Sequence, residues 1–153
     1  MTPGSDRVAS FLKAEGLDAE LKEFDTSTKS SSLAAQALGC TVGEIAKSIV
    51  FEGAGPIVVI LSGDRRVDLR RLAETVGSHV GVATPEFVKA TTGYPIGGVP
   101  PFPHNDGVRV LPDRSLTRFR SVWTAGGAPN VVFKVSTLQL IKTVGIEPVD
   151  VSL

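Results

Sequence analysis

The chain has 153 residues, 42% hydrophobic and 21% charged, which suits one packed domain and argues against a disordered segment. Sixteen basic residues balance sixteen acidic ones, so no overall basic field marks a nucleic-acid partner and any such partner must meet a local patch. No apolar run approaches the roughly 20 residues of a membrane helix, and a lone cysteine, Cys40, excludes an internal disulfide.

Ser5 to Ala14 sets Val8, Phe11 and Leu12 at helical spacing and meets Gly16, a residue suited to a helix end. Ala19 to Phe24 reads as a strand. The polar stretch DTSTKSSS, Asp25 to Ser32, is a loop whose last serines can cap a helix through Leu38, closed by Gly39. Thr41 and Glu44 form a T-x-x-E capping box, predicting a short helix from Val42 to Ala46. Ser48 to Glu52 and Pro56 to Leu61 then read as a hairpin turning through Gly53-Ala54-Gly55. Its second strand is apolar enough to be buried on both faces.

Asp68 can cap a helix carrying Leu69, Leu72 and Val76 that stops at Gly77, and Val80 to Ala83 is a brief strand. Thr84 caps another helix with Pro85 at its first position, ending near Gly93. Gly93 to Gly107, GYPIGGVPPFPHNDG, cannot be regular, because Pro100, Pro101 and Pro103 remove backbone donors. Strands follow at Val108 to Leu111, through Val122 and Trp123, and at Asn130 to Val135, with a helical turn near Leu116 and a glycine turn at Gly126-Gly127. Ser136 caps a last helix stopped by Gly145, and Val149 to Val151 closes the chain as a strand. The mixture predicts a single α/β domain, residues 1–153, with a mixed, barrel-like sheet flanked by short helices.

The chemistry-bearing motifs are few. The chain has no phosphate loop, no nucleophile elbow and no zinc helix. His79 and His104 are the only histidines, and no His/Cys cluster has ligand spacing, so no metal and no cofactor are expected. Arg65, Arg66, Arg70 and Arg71, and then Arg109, Arg114, Arg118 and Arg120, form two basic groups that read as solvated faces. Lys47, in EIAKSIVF, has two readings: a strand-start lysine reaching to water, or a cation beside a pocket that grips phosphate or an oxyanion. The GGVPPF loop is either a rigid crossover or a wall where backbone approaches a ligand closely. A 15-residue irregular segment in a compact domain favours function. Gly126-Gly127 is a hairpin turn or a second pocket wall. His104 alone reads as structural. The start MTPGSDRVASFLKAEG lacks the pattern of a secretory leader, and with Cys40 fitting a reducing compartment a cytoplasmic location is expected.

The segments FDTSTKSSSLAAQALGC, EIAKSIVF, SGDRRVDLRRLAETVG, TGYPIGGVPPFPH and VWTAGGAPNVVFKVS, in that order, resemble the YbaK / prolyl-tRNA synthetase-associated domain family across about Leu21 to Val151. The resemblance implies a compact α/β domain that deacylates mischarged aminoacyl-tRNA, chiefly tRNA for proline. It points to a free-standing protein acting in trans, with prolyl-tRNA synthetase as a possible partner. It makes Lys47 the hallmark functional residue, and it places Gly97, Gly98, Val99 and Pro100, with Thr124, Ala125, Gly126 and Gly127, around the substrate. Thr28 and Lys29 are expected to close the pocket from the first loop. The chain departs from the pattern in two places: relatives tend to have FGH where Pro103 precedes His104, and often a histidine near Asn130, whose amide can bind substrate but is no base. Two other classes stay open: a non-catalytic tRNA-binding module, and a pocket-bearing interaction protein unrelated to tRNA.

Overall fold

A computed structural model of the chain describes residues 2–28 and 30–153. Lys29, expected at the pocket, lies outside the described residues. In chain order the elements are α1 (Pro3–Ala14), β1 (Lys22–Glu23), α2 (Ser31–Leu38), β2 (Ile45–Gly53), β3 (Gly55–Ser62), α3 (Leu69–Val76), β4 (Gly81–Val82), α4 (Pro85–Thr92), β5 (Arg109–Pro112), β6 (Ser121–Ala125), β7 (Val131–Ser136) and α5 (Thr137–Val144).

The helices start and stop where their caps dictate. The side chains of Ser30, Asp68, Thr84 and Ser136 accept from first-turn N–H groups of α2, α3, α4 and α5. The same helices end on Gly39, Gly77, Gly93 and Gly145, all left-handed. The Thr41–Glu44 capping box forms, yet it heads only a 3₁₀ turn, Val42–Glu44. The helix expected through Ala46 is absent because Ile45 and Ala46 already belong to β2.

The sheet runs β1-β7-β6-β2-β3-β5, with β4 also on β2. The β2–β3 and β6–β7 hairpins are antiparallel, whereas β2–β6 and β3–β5 are parallel. This confirms a mixed sheet. It is open, so the barrel-like expectation is too strong: β1 and β5 are separate ends of the strand order. β1 is two exposed residues rather than Ala19 to Phe24. The C-terminal segment makes isolated bridges, Asp113–Val149 and Val67–Ser152, instead of a strand.

β3 is the apolar middle layer. Its even residues Val58 and Ile60 pack with Val8 and Leu12 of α1, Val88 of α4 and Leu140 of α5. Its odd residues Ile57, Val59 and Leu61 pack with Leu72 of α3 and Val151. A smaller cluster holds α2 over the start of β2 through Ala34, Ala35 and Ile45. Period-two alternation thus feeds two cores from one strand.

Candidate functional site

β2 is covered by β3 along one edge, but its other edge is shared. β6 pairs with it only at Ile45–Trp123 and Ala46–Thr124, and β4 only at Phe51–Val82 and Glu52–Gly81. Between these contacts the sheet splits, and the split opens a cleft of about 580 Å³. Its floor is β2 from Ile45 to Val50. Trp123, Thr124, Ala125 and Val132 form one wall; Ala83, Val88, Gly97 and Val99 form the other. Thr28 and Ser30 to Ser32 stand on a further side. Val82 and Ile96, 70% and 54% exposed, give the rim an apolar lip.

Of the residues expected at the site, Thr28, Lys47, Gly97, Val99, Thr124 and Ala125 line this cleft. Gly98, Pro100, His104, Gly126, Gly127 and Asn130 are not among its lining residues.

Lys47 is the third residue of β2 and half-buried. Its Nζ donates to the Gly63 carbonyl at 3.3 Å, a long bond that leaves most of its donor capacity unused. Burial pushes its pKa below the ordinary lysine value; nearby Asp64 acts against this and Arg66 adds to it. Asp64 is itself clamped by Arg118, at 2.7 Å from Nη2, so Lys47 makes no ion pair among the described residues. Two hydroxyls of the cleft residues, Ser48 Oγ and Thr124 Oγ1, are buried without a hydrogen-bond partner among the described residues. Ser48 was not singled out in the sequence; its one signal is a polar residue inside an otherwise apolar strand.

The glycines outside the lining have packing roles. A Cβ on Gly98 would lie 2.9 Å from the Ala128 backbone, so the loop rests directly on the β6–β7 turn. The N–H groups of Gly98 and Gly126 donate to the Pro95 and Val131 carbonyls. Gly127 has φ +97° and meets the Gly4 backbone. Gly98→Ala is therefore expected to push the loop off the turn and cost about 2 kcal/mol, as overpacking does, read as a lowered Tm.

His104 lies at the edge of the Tyr94 ring, with Nε2 2.8 Å from the Pro100 carbonyl, and burial lowers its pKa. Burial also pushes the Tyr94 phenol up to about 12, and its hydroxyl donates to the Pro103 carbonyl at 2.8 Å. Asn130 Nδ2 donates to the Phe24 carbonyl at 2.9 Å, tying β1 to the β6–β7 turn. Thr28 is held likewise, through Oγ1 to the Pro129 carbonyl at 2.9 Å, while still bordering the cleft. The arginine groups are mostly solvated: Arg70 pairs with Glu74, Arg71 with Asp68 and Asp150, and Arg66, Arg109, Arg114 and Arg120 are exposed. Cys40 is half-buried beside α2, where burial raises its pKa, so it lacks the marks of a reactive thiolate. No helix among the described residues is long and apolar enough to cross a membrane.

The family description "Aminoacyl-tRNA editing domain" matches residues 25–143. The chain is 33% identical over 123 residues to YwhH, an uncharacterized protein of Bacillus subtilis (strain 168), covering 79% of this chain and 78% of that one. It is 27% identical over 116 residues to the multifunctional Ser/Thr-tRNA deacylase ProXp-y of Escherichia coli (strain K12), covering 72% and 69%. A crystal structure described as "a putative trans-editing enzyme for prolyl tRNA synthetase" superposes with a TM-score of 0.92 at 36% identity, over 100% of this chain and 99% of that one.

Proposed function

The chain belongs to the aminoacyl-tRNA editing domain family, and from that premise we propose that it hydrolyses mischarged aminoacyl-tRNA carrying a small amino acid. The carrying observation is Lys47, a cation without an ion pair among the described residues, on the floor of a mainly apolar cleft. One methylene is worth only about 1–3 kcal/mol of discrimination, so synthetases misload small residues and a second pocket must remove them.

An aminoacyl ester is already activated and needs no full triad. Water, or the thiol of a cysteinyl substrate, attacks the carbonyl carbon, and the bond to the ribose oxygen breaks. Lys47 holds the terminal nucleotide or offsets the charge growing on the carbonyl oxygen. Gly97, with φ +83° and an N–H engaged by no partner among the described residues, supplies a backbone donor from the loop wall. Gly98, Val99, Pro100 and the 124–127 turn fix that wall, and Thr28 borders the entrance. The substrates are alanine, cysteine, serine or threonine, most readily on tRNA for proline, with prolyl-tRNA synthetase as the enzyme whose errors are cleared.

A panel of alanyl-, cysteinyl-, seryl- and threonyl-tRNA tests this under single-turnover conditions. Ester loss is expected for at least one. Tight tRNA binding with no ester loss on any would make the domain a binding module instead.

A further inference from the structure

We propose that the aminoacyl group docks in the break of the sheet between β2 and β6, with the backbone N–H of Ser48 donating to the ester carbonyl and its oxyanion, and the Ala125 carbonyl receiving the free α-ammonium. This rests on the deacylase reading above and names the part of the substrate that the cleft recognises.

The ladder fixes where these groups point. The Ile45 carbonyl accepts from Gly63 at 2.7 Å, so odd residues of β2 turn their backbone groups to β3. The Val50 carbonyl accepts from Ala83 at 3.2 Å, so even residues turn theirs to the opposite edge. Ser48 is even. In a continued parallel ladder its N–H would donate to the Ala125 carbonyl, but the register ends one rung earlier, at Ala46–Thr124. The β4 register ends at Phe51–Val82, short of Ser48, and extending it would set opposite Ser48 a proline, Pro85, with no N–H for the Ser48 carbonyl. The Ser48 N–H and carbonyl and the Ala125 carbonyl therefore lack strand partners among the described residues, and both residues line the cleft.

Backbone groups inside a fold are nearly always paired, so unpaired ones at a cleft floor mark a place where another molecule completes them. The unpartnered Ser48 Oγ and Thr124 Oγ1 adjoin the same break. A donor facing an acceptor suits an α-amino ester, whose carbonyl accepts and whose ammonium donates. The mode is strand addition reduced to one residue. When water adds to the carbonyl carbon, the electron pair moves to the oxygen held by Ser48 N–H. Collapse expels the ribose oxygen, which takes the proton released by water. Amino acids with a free α-amino group are then the substrate class, and N-acylated esters are refused.

Two measurements test this on the intact chain. Replacing the Ser48 amide by a backbone ester removes the N–H and also weakens the Lys47 carbonyl as an acceptor in the β2–β3 ladder; kcat is expected to fall about 10²-fold, with KM little changed and Tm lowered only by the weakening of that one ladder bond. N-acetylation of an aminoacyl-tRNA that the protein hydrolyses is expected to lower kcat/KM by about the same factor. Unmodified protein that hydrolyses none of the four aminoacyl-tRNAs defeats the deacylase reading itself. Active protein whose backbone-ester form is equally fast, or which hydrolyses the N-acetyl substrate equally well, overturns the Ser48 and Ala125 assignment alone. If the backbone-ester form does not fold, amide exchange at Ser48 decides. The N–H is expected to exchange quickly in the free protein and to be protected at least ~10-fold when a non-hydrolysable aminoacyl-adenosine amide binds; bound analogue without protection overturns the assignment.

Discussion

Lys47→Ala is expected to lower kcat/KM for deacylation by about 10²- to 10³-fold, the range for loss of a preorganised charge or donor at a developing oxyanion. The fold should survive. Among the described residues the only partner of Nζ is the Gly63 carbonyl at 3.3 Å, a bond worth no more than about 1 kcal/mol of stability. The same charge acts more strongly on a substrate, because the apolar cleft screens it less than water does. Lys47→Met keeps the stem and removes the cation, so it should lose activity to the same extent while packing better than alanine. A wild-type rate in a folded Lys47→Ala protein would remove Lys47 from the mechanism.

The pH dependence adds a second check with a definite sign. Burial lowers the Lys47 pKa in the folded chain below its ordinary value. Activity that needs the cation should therefore fall as pH rises through that lowered value, earlier than an exposed lysine would allow. Stability should move the other way. Between the folded and the unfolded pKa the unfolded chain binds more protons at this site, so this residue's contribution to stability rises with pH. Single-turnover rates and melting temperatures from about pH 8 up to the ordinary lysine value of about 10.4 separate the two trends. In Lys47→Met both should flatten.

Much of the fold was legible because helix ends are local events. Ser30, Asp68, Thr84 and Ser136 cap the helices that the sequence indicated, and Gly39, Gly77, Gly93 and Gly145 end them. The capping box at Thr41 misled only in what followed it: the apolar Ile45 and Ala46 gain more by pairing with β6 than by continuing a turn. The cleft was harder to read. Lys47 and Gly97 could be named from motifs, but the break in the β2 edge depends on β6 returning about 75 residues later in parallel register and on α4 beginning at Pro85. Nothing near Ser48 encodes that. The glycine pairs were ambiguous in sequence: Gly98, Gly126 and Gly127 read either as turn and crossover residues or as places for a ligand to approach. In the fold a Cβ on each would meet the protein's own chain, at Ala128, Leu21 and Gly4.

Asp113→Ala is expected to destabilise the protein by about 3 kcal/mol or more, lowering Tm by about 6–12 °C. The carboxylate is fully buried where β5 gives way to the 3₁₀ turn Arg114–Arg118. It accepts from the Ser115 N–H at 3.0 Å, the Val151 N–H at 3.0 Å and the Ser152 hydroxyl at 2.8 Å. Alanine strands all three donors and frees the C-terminal segment that seals the α3 side of the core through Val151. Asp113→Asn keeps the shape but turns an N–H₂ toward at least one N–H donor, so it too should lose stability. Burial alone would raise the pKa of this carboxyl, but the hydrogen bonds from Ser115, Val151 and Ser152 outweigh it and hold the value below the ordinary range. The stabilisation is therefore complete above the unfolded aspartate value of about 3.9 and is lost as pH falls through the lower folded value. Wild-type protein should accordingly lose stability more steeply than Asp113→Asn below about pH 4. Because this anchor lies outside the cleft lining, both variants should keep wild-type kcat at temperatures where they remain folded; a selective loss of kcat would place Asp113 in the site instead.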